Sequence, residues 1–184
     1  NKNNKMIKNY FSSDWHLCHN NIIKYDNRPF KNITEMNDAI LFNYNSIVKP
    51  GDNFYFLGDF CFDTRRTEEF LKGMVGNLFF IKGNHDKKDT IKLYQKYGIY
   101  LGEQKKIKVN EQEIVLNHYS MNIWDKCHHG SWHLFGHSHG SLKDNPNSLS
   151  FDVGCNIWDY KPLEFEEVKR LMSLKTFKPI DHHK

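Results

Sequence analysis

Short apolar runs and longer segments with helical spacing alternate along the first half of the chain. An alternating stretch at residues 7–12 is typical of a strand that runs into a loop, and short apolar runs at 54–57 and 78–81 are typical of buried strands. Helical spacing is found over residues 34–48, 67–72 and 89–97. We expect Thr34 to be the N-cap of the first helix, Pro50 and Gly51 to end it, and Gly98 to close the third. This order predicts a parallel sheet with right-handed crossovers.

The second half changes to the period-two alternation of half-buried strands. A hairpin is predicted from residues 106–109 and 113–117, which flank a turn at 110–112. Two further strands and a closing amphipathic helix are predicted at residues 132–135, 149–153 and 163–174. We therefore expect an α/β (α+β) fold in which antiparallel strands continue the parallel sheet. Residues 1–184 form one predicted domain, with a flexible leader at 1–5 and a tail at 175–184.

The composition is that of a globular protein. A chain of 184 residues with 39% hydrophobic and 26% charged residues can bury a core without disulfides. The net charge of +4 suits an anionic substrate, but its distribution is too diffuse to indicate duplex nucleic acid. The four cysteines form no C-x-x-C pair, and no apolar run approaches the ~20 residues of a membrane span. We expect a cytoplasmic protein with free thiols and no membrane partner.

Polar fragments follow the apolar runs. They are Asp14-Trp15-His16, Gly58-Asp59, Gly83-Asn84-His85-Asp86, His118 and Gly136-His137-Ser138-His139. Alone, D-x-H carries no information, whereas G-N-H-D is rare by chance. Because ligands bind at the carboxyl ends of strands in open α/β sheets, we expect these fragments to meet there.

The residue types suit a pair of divalent cations. Two ions ~3.5–4 Å apart need a bridging carboxylate, with neutral imidazole and amide oxygen in the other positions. Carboxylates alone would leave the site too anionic for a phosphate, and thiolates would favour a closed structural zinc site. The pattern therefore predicts a site in which a water held between the ions becomes hydroxide and attacks phosphorus in line with the leaving oxygen.

These fragments resemble the signature of the calcineurin-like metallophosphoesterase superfamily, which is D-x-H, G-D, G-N-H-[DE], a lone His and G-H-x-H. The match spans Asp14 to His139, most of the chain. The compact, cap-less bacterial and phage branch shares the stretch written here as HLCHNNII at 16–23 and RPF at 28–30. Many of its members have Gly where this chain has Cys18. The resemblance implies a four-layer αββα sandwich of mixed sheets flanked by helices.

The resemblance also implies roles for individual residues. The ligands of one metal would be Asp14, His16 and His139, those of the other Asn84, His118 and His137, and the bridge Asp59. His85 would stabilise the phosphoryl charge or protonate the leaving group, and Asp86 would orient His85. Manganese is the first expectation for both ions, with iron, zinc and nickel as alternatives.

Residues near the motifs have two interpretations each. His19, Asn20 and Arg28 are candidate substrate contacts at the cleft mouth, with Arg28 on the phosphate; alternatively they form a surface loop in which Arg28 pairs with a carboxylate. Core packing is favoured over base stacking for the tryptophans Trp15, Trp124 and Trp158. Solvation is favoured over function for the histidines His128, His129 and His133.

The favoured function is a metal-dependent phosphodiesterase or phosphatase acting on a small or nucleotide-derived phosphate ester. A nuclease acting on DNA or RNA strands is the first alternative, although the chain has little room for extra binding segments. A scaffold that no longer hydrolyses esters is the second, and the full ligand set speaks against it. A homo-oligomer in which a partner subunit roofs the cleft is also compatible with the absence of a cap.

Overall fold

A computed structural model describes residues 6–181, so the predicted leader and the histidines His182 and His183 lie outside the described residues. The strands are β1 (Asn9–Ser12), β2 (Asn53–Phe56), β3 (Asn77–Phe80), β4 (Ile99–Tyr100), β5 (Gln104–Val109), β6 (Gln112–Asn117), β7 (Trp132–Phe135), β8 (Ser150–Asp152) and β9 (Leu163–Glu164). The helices are α1 (Asn20–Tyr25), α2 (Ile33–Ile47), α3 (Thr64–Lys72), α4 (Lys88–Tyr97) and α5 (Phe165–Ser173). Two 3-10 helices span Cys127–His129 and Cys155–Ile157.

Two mixed sheets flanked by helices form the fold, as predicted. The first sheet has the order β4-β3-β2-β1-β9, in which β1 to β4 are parallel and β9 is antiparallel. The second has the order β5-β6-β7-β8, with an antiparallel hairpin followed by parallel pairs. Strand β9 continues the first sheet as an antiparallel strand, but the predicted hairpin and the strands at 132–135 and 149–153 form the second sheet, so their expected place in the first sheet is wrong. Period-two alternation shows that one face of a strand is buried, but it does not name the neighbouring strand.

The first sheet is apolar on both faces because it is covered on both. One face contributes Tyr10, Phe54, Phe56, Leu78 and Phe80 to a core shared with α2, α3 and α4. The other face contributes Phe11, Tyr55, Leu57 and Ile81 to a core shared with the second sheet and α5. Trp15 is buried in the first core, and Trp124 is buried beside the second sheet, which confirms their packing role. The continuous apolar runs of β2 and β3 follow from this double coverage.

Element ends differ from the predictions where side chains compete for backbone groups. Helix α2 is capped by Asn32, whose side chain accepts a hydrogen bond from the Glu35 amide, and Thr34 lies inside the helix. The predicted closing helix begins late because Leu163–Glu164 pairs with β1 as strand β9.

The described part of the predicted tail packs on the loop before β8, where the Thr176 amide donates to the Pro146 carbonyl. Within residues 6–181, no helix has the length and apolarity to cross a bilayer.

His133 is a buried structural residue, so the expectation that it is solvated is wrong. Its Nδ1 lies 2.9 Å from the Val115 carbonyl, and its Nε2 accepts a hydrogen bond from the Met121 amide at 3.1 Å. These two bonds fix a neutral ring with its proton on Nδ1. The ring thereby ties the segment after His118 to strands β6 and β7.

The stability of the protein is expected to fall on acidification through His133. Burial lowers the pKa of His133 from 6.5 to about 4. Between these two pH values His133 is protonated in the unfolded chain and neutral in the folded chain, so protonation favours the unfolded state. The free energy of unfolding should therefore drop by about 3 kcal/mol between pH 7 and pH 4 because of this residue. Urea unfolding of wild type and His133→Gln across this range measures the difference, since Gln keeps a donor and an acceptor. Identical pH dependence in the two proteins would contradict the assignment.

Candidate metal centre

The predicted ligands come together where strands of the two sheets end. Asp14, Asp59 and Asn84 lie on the loops that follow β1, β2 and β3 in the first sheet. His118 follows β6, and His137 and His139 follow β7, in the second sheet. Sandwiching the sheets brings both sets of loops to one edge, so residues more than 120 positions apart in the chain are in contact. Strand ends that converge in this way are the usual location of a site in this class of fold.

One group of possible ligands contains Asp14, His16 and His139. The Asp14 Oδ1 atom lies 3.7 Å from His16 Nε2 and 3.3 Å from His139 Nε2. Asp14 is fully buried, and its other oxygen, Oδ2, accepts a hydrogen bond from the His137 amide at 2.8 Å. One carboxylate oxygen and two imidazole nitrogens are therefore left facing a common space.

A second group contains Asp14, Asp59 and His118, with Asn84 and His137 beside it. The Asn84 Oδ1 atom is 2.9 Å from His118 Nε2 and 3.0 Å from His137 Nδ1. The Asp59 Oδ2 atom is 3.4 Å from His118 Nε2 and 3.5 Å from His16 Nε2. Asp59 thus stands between the two groups, where a bridging ligand would be placed.

The donor set fits divalent cations on two physical grounds. Asp14 Oδ1 and His16 Nε2 are buried without a hydrogen-bond partner, although unpaired buried polar atoms are costly and rare. Burial raises the pKa of Asp14, but nearby His139 and His16 outweigh it and hold that pKa below the ordinary value. Burial likewise lowers the pKa of His118, but the Asp59 and Asp14 carboxylates outweigh it and raise that pKa to about 9. The anionic potential that favours protons on these rings also favours a cation.

The backbone is bent into left-handed conformation at most of these positions. Positive φ angles occur at Asp14 (56°), His16 (50°), Asp59 (62°), His137 (66°) and His139 (48°). Such angles are uncommon outside glycine and are concentrated at functional sites. They explain how His137 and His139, two residues apart, can both enter the site without the flat pleat of a strand. Cys18 also has a positive φ of 62°, a backbone conformation for which glycine is the usual residue.

Two motif glycines allow the loops to approach the carboxylates. A Cβ atom on Gly83 would lie 2.2 Å from Asp59 Oδ1, and one on Gly136 would lie 2.3 Å from Asp14 Oδ2. Both separations are far below van der Waals contact. The glycines of G-N-H-D and G-H-x-H are therefore required by space.

The ring nitrogens that point away from the site have partners, and for His118 and His139 the partner is a pure acceptor that fixes the tautomer. His118 Nδ1 is 2.6 Å from the Leu57 carbonyl, so it carries the proton and leaves Nε2 free as a ligand. His139 Nδ1 is 2.7 Å from Asp26 Oδ2. His16 Nδ1 is 3.3 Å from Nδ1 of His19. Sequence reasoning missed Asp26, which no motif letter marks.

His85 lies at the open side of the centre. Its side chain is exposed, and its ring centroid is 5.7 Å from that of His16 and 4.8 Å from that of Phe62. Its backbone N–H, and not its ring, donates to Asp59 Oδ1 at 2.9 Å. The imidazole is thus placed beside the candidate ligands and is free to meet a substrate.

The comparisons with known proteins place the chain among relatives. No family model matches it. The protein named uncharacterized protein MJ1445, from Methanocaldococcus jannaschii, is 33% identical over 181 residues, which cover 91% of this chain and 92% of the relative. The chain belongs to the MJ1445 family.

Two solved structures share the fold of this MJ1445 family member. The protein of unknown function AQ665 from Aquifex aeolicus superposes with a TM-score of 0.71 at 24% identity, covering 90% of this chain and 100% of that chain. A novel archaeal phosphodiesterase superposes with a TM-score of 0.53 at 15% identity, covering 86% of this chain and 99% of that chain. At these identities the likeness concerns the fold alone.

The position of Arg28 in this MJ1445 family member differs from the predicted substrate contact. It does not reach the cleft mouth as a phosphate contact, because its side chain is fully buried. Its guanidinium donates to the backbone carbonyls of Trp15 at 2.8 Å and Asp14 at 2.9 Å, and to Asp26 Oδ2 at 2.9 Å. The alternative of a carboxylate pair is correct, but the pair is buried and not on the surface.

Asp86 also has a different role from the one predicted. Its carboxylate accepts hydrogen bonds from the backbone amides of Gly83 at 2.8 Å and Asp59 at 3.1 Å, and a longer one from Phe60. None of the hydrogen bonds of Asp86 in the described structure reaches the His85 ring. Asp86 instead joins the two loops that carry Asp59 and Asn84, which is a positioning role.

Of the other two predicted substrate contacts, His19 lines the cleft and Asn20 does not. The ring of His19 stacks on that of Phe62 with the centroids 4.1 Å apart. Asn20 is exposed at the start of α1 and is not among the residues lining the cleft. Sequence reasoning also missed Asp152, which accepts hydrogen bonds from the Gly140 and Gly154 amides and holds the loop after His139. Burial raises the pKa of Asp152 to about 6.

Proposed function

We propose that this protein is a phosphoester hydrolase of the calcineurin-like metallophosphoesterase superfamily that works with two divalent cations. The observation that carries this proposal is a cluster of five predicted ligands, with Asn84 in side-chain contact with His118 and His137 beside it. Within this cluster, Asp14 Oδ1 and His16 Nε2 are buried without a hydrogen-bond partner. The order of the motifs along the chain supports it. The fold shared with an archaeal phosphodiesterase is consistent with it.

Each side chain has a role in this proposal. Asp14, His16 and His139 would hold one ion, the second would be held by Asn84, His118 and His137, and Asp59 would contact both. Bound divalent cations supply Lewis acidity, which lowers the pKa of a water and neutralises charge on phosphoryl oxygens. Manganese is the first proposed metal, with iron, zinc and nickel as alternatives, because all four accept mixed carboxylate, amide and imidazole donors.

His85 is the proposed catalytic residue that acts on the substrate directly. Its exposed imidazole stands next to His16 and rests against Phe62, so it can reach a phosphoryl or leaving-group oxygen. A hydrogen bond or proton donated there offsets the negative charge that develops as the ester bond breaks.

The cleft beside the centre favours a phosphodiester over a monoester. It has a volume of about 710 Å³ and is lined by His19, Tyr25, Asp26, His85 and neighbouring loop residues. No Lys or Arg is among the described residues that line it, and Lys82 in an adjoining pocket pairs with Glu103 at 3.2 Å. A phosphate monoester dianion carries a second negative charge, and no Lys or Arg of the described cleft compensates it. We therefore propose a singly charged diester as the substrate.

A substrate comparison tests this proposal. Manganese-loaded protein should hydrolyse bis-p-nitrophenyl phosphate with a kcat/KM at least ~10-fold above that for p-nitrophenyl phosphate, since one uncompensated charge is worth about this much near a surface. Ser141 is exposed and lines the cleft, so Ser141→Arg should shift the ratio toward the monoester. Ser141→Gln is the neutral control of similar length.

Two results would contradict the proposal in different ways. Faster hydrolysis of the monoester by wild type would refute the diester preference while leaving the hydrolase intact. No hydrolysis of either ester, or of a panel of nucleotides, cyclic nucleotides and single-stranded oligonucleotides, would refute the function itself.

A further inference from the structure

We propose that Asp26 is a positioning residue for His139 and makes the two halves of the centre unequal; this inference rests on the proposed function. The Asp26 Oδ2 atom lies 2.7 Å from His139 Nδ1. The same oxygen accepts hydrogen bonds from Arg28 Nη2 at 2.9 Å and Nε at 3.1 Å. A single oxygen of Asp26 thus contacts both the candidate metal ligand His139 and the buried guanidinium of Arg28.

Arg28 fixes the position of Asp26 relative to the centre. The guanidinium is buried, lies 5.6 Å from the ring centre of Tyr160, and donates to the carbonyls of Asp14 and Trp15. The planar fork binds the ligand loop after β1 and Asp26 at once, which a lysine could not do. Asp26 is the only acidic partner of Arg28 within residues 6–181, so the two charges compensate each other in the interior.

The carboxylate decides which nitrogen of His139 carries the proton. A carboxylate accepts hydrogen bonds, so Nδ1 of His139 is the protonated atom. Its Nε2, 3.3 Å from Asp14 Oδ1, is then held in the orientation of a ligand. Such a partner also increases the basicity of the ring and hence its affinity for a metal.

His118 and His16 have weaker partners at the corresponding position. His118 faces the backbone carbonyl of Leu57, and His16 faces the ring of His19. Neither partner carries a full negative charge. Asp26 therefore tunes the group formed by Asp14, His16 and His139, and leaves the group around His118 unaffected.

The test measures metal affinity and the histidine tautomer. In a manganese titration by calorimetry, Asp26→Asn should weaken one of the two ions by ~10–100-fold, the usual effect of losing such a partner, and leave the other unchanged. In zinc-loaded wild type, long-range proton–nitrogen NMR should show His139 protonated on Nδ1, with the signal assigned by its loss in His139→Gln. Asp144→Asn, an exposed acid away from the centre, is the control for charge.

The outcomes separate this inference from the proposed function. Unchanged affinity for both ions in Asp26→Asn overturns the role of Asp26 alone. A His139 protonated on Nε2 in the zinc-loaded wild type overturns that role and also removes His139 Nε2 from the proposed ligands, while hydrolysis of the ester remains a separate readout. Because the NMR arm uses wild type, an unstable Asp26→Asn protein does not block the decision. Two bound ions without ester hydrolysis refute the proposed function and leave the Asp26 result standing. A wild type that binds no ion refutes both.

Discussion

Replacing Asp59 with asparagine is expected to empty both halves of the metal centre together. Asp59 Oδ2 lies 3.4 Å from His118 Nε2 and 3.5 Å from His16 Nε2, between the two groups of ligands. A neutral amide bridges two cations poorly, because it offers one weak oxygen donor and no charge. After manganese saturation and desalting, metal analysis should find less than one ion per chain, and hydrolysis of the diester should fall to background.

A second Asp→Asn variant, at Asp63, controls for the loss of one carboxylate from this region. Asp63 suits this purpose, because it caps helix α3 through a hydrogen bond from the Arg65 amide, and asparagine is an equally good cap. Asp63→Asn should keep two ions and full activity. Two ions retained in Asp59→Asn would refute the bridging role, whereas the loss of only one would place Asp59 in a single group.

The convergence of the candidate ligands could be predicted from sequence because each fragment follows an apolar run. The loops after β1, β2 and β3 must meet, since these strands are parallel neighbours. Residue type then supplied the chemistry, as two aspartates, one asparagine and four histidines suit open metal sites better than structural ones. The order of the strands accounts only for the candidate ligands of the first sheet. That His118, His137 and His139 of the second sheet join them was expected from the order of the motifs.

The surroundings of the ligands could not be predicted in the same way. Arg28 stands close to His16 and His19 in sequence, but a motif does not show whether a side chain faces the cleft or the interior. Its burial depends on two backbone carbonyls, which every residue possesses. Asp26 has no sequence signal, because a single acid after a short helix is common on surfaces. Only the three-dimensional arrangement distinguishes it.

The backbone at the site also lies beyond sequence patterns. His137 and His139 alternate as strand residues would, and sequence alone does not give their positive φ angles. Tertiary contacts impose this conformation: the His137 amide donates to Asp14 Oδ2, and Asn156 donates to the His139 carbonyl. Strain of this kind is sustained by the surrounding structure.

Truncation of His85 to alanine should separate catalysis from metal binding. The imidazole is expected to assist the substrate, so kcat for the diester should fall by ~10²–10⁴-fold, the usual scale of acid–base assistance. Metal content should stay at two ions, because the hydrogen bond from residue 85 to Asp59 Oδ1 comes from the backbone amide, which alanine keeps. Steady-state kinetics and metal analysis on the same preparation measure both quantities.

A neighbouring truncation shows whether the effect belongs to the imidazole. Lys87 is exposed two residues further on and makes no side-chain cap for α4, so Lys87→Ala alters the same loop without touching the centre. Its kcat should stay within about twofold of wild type. Loss of metal in His85→Ala would show that the ring supports the ligands instead of the substrate. A kcat near that of wild type with both ions bound would show that His85 is not needed for catalysis. The cations alone would then offset the charge on the reacting phosphoryl group, because the described cleft contains no Lys or Arg that could replace His85.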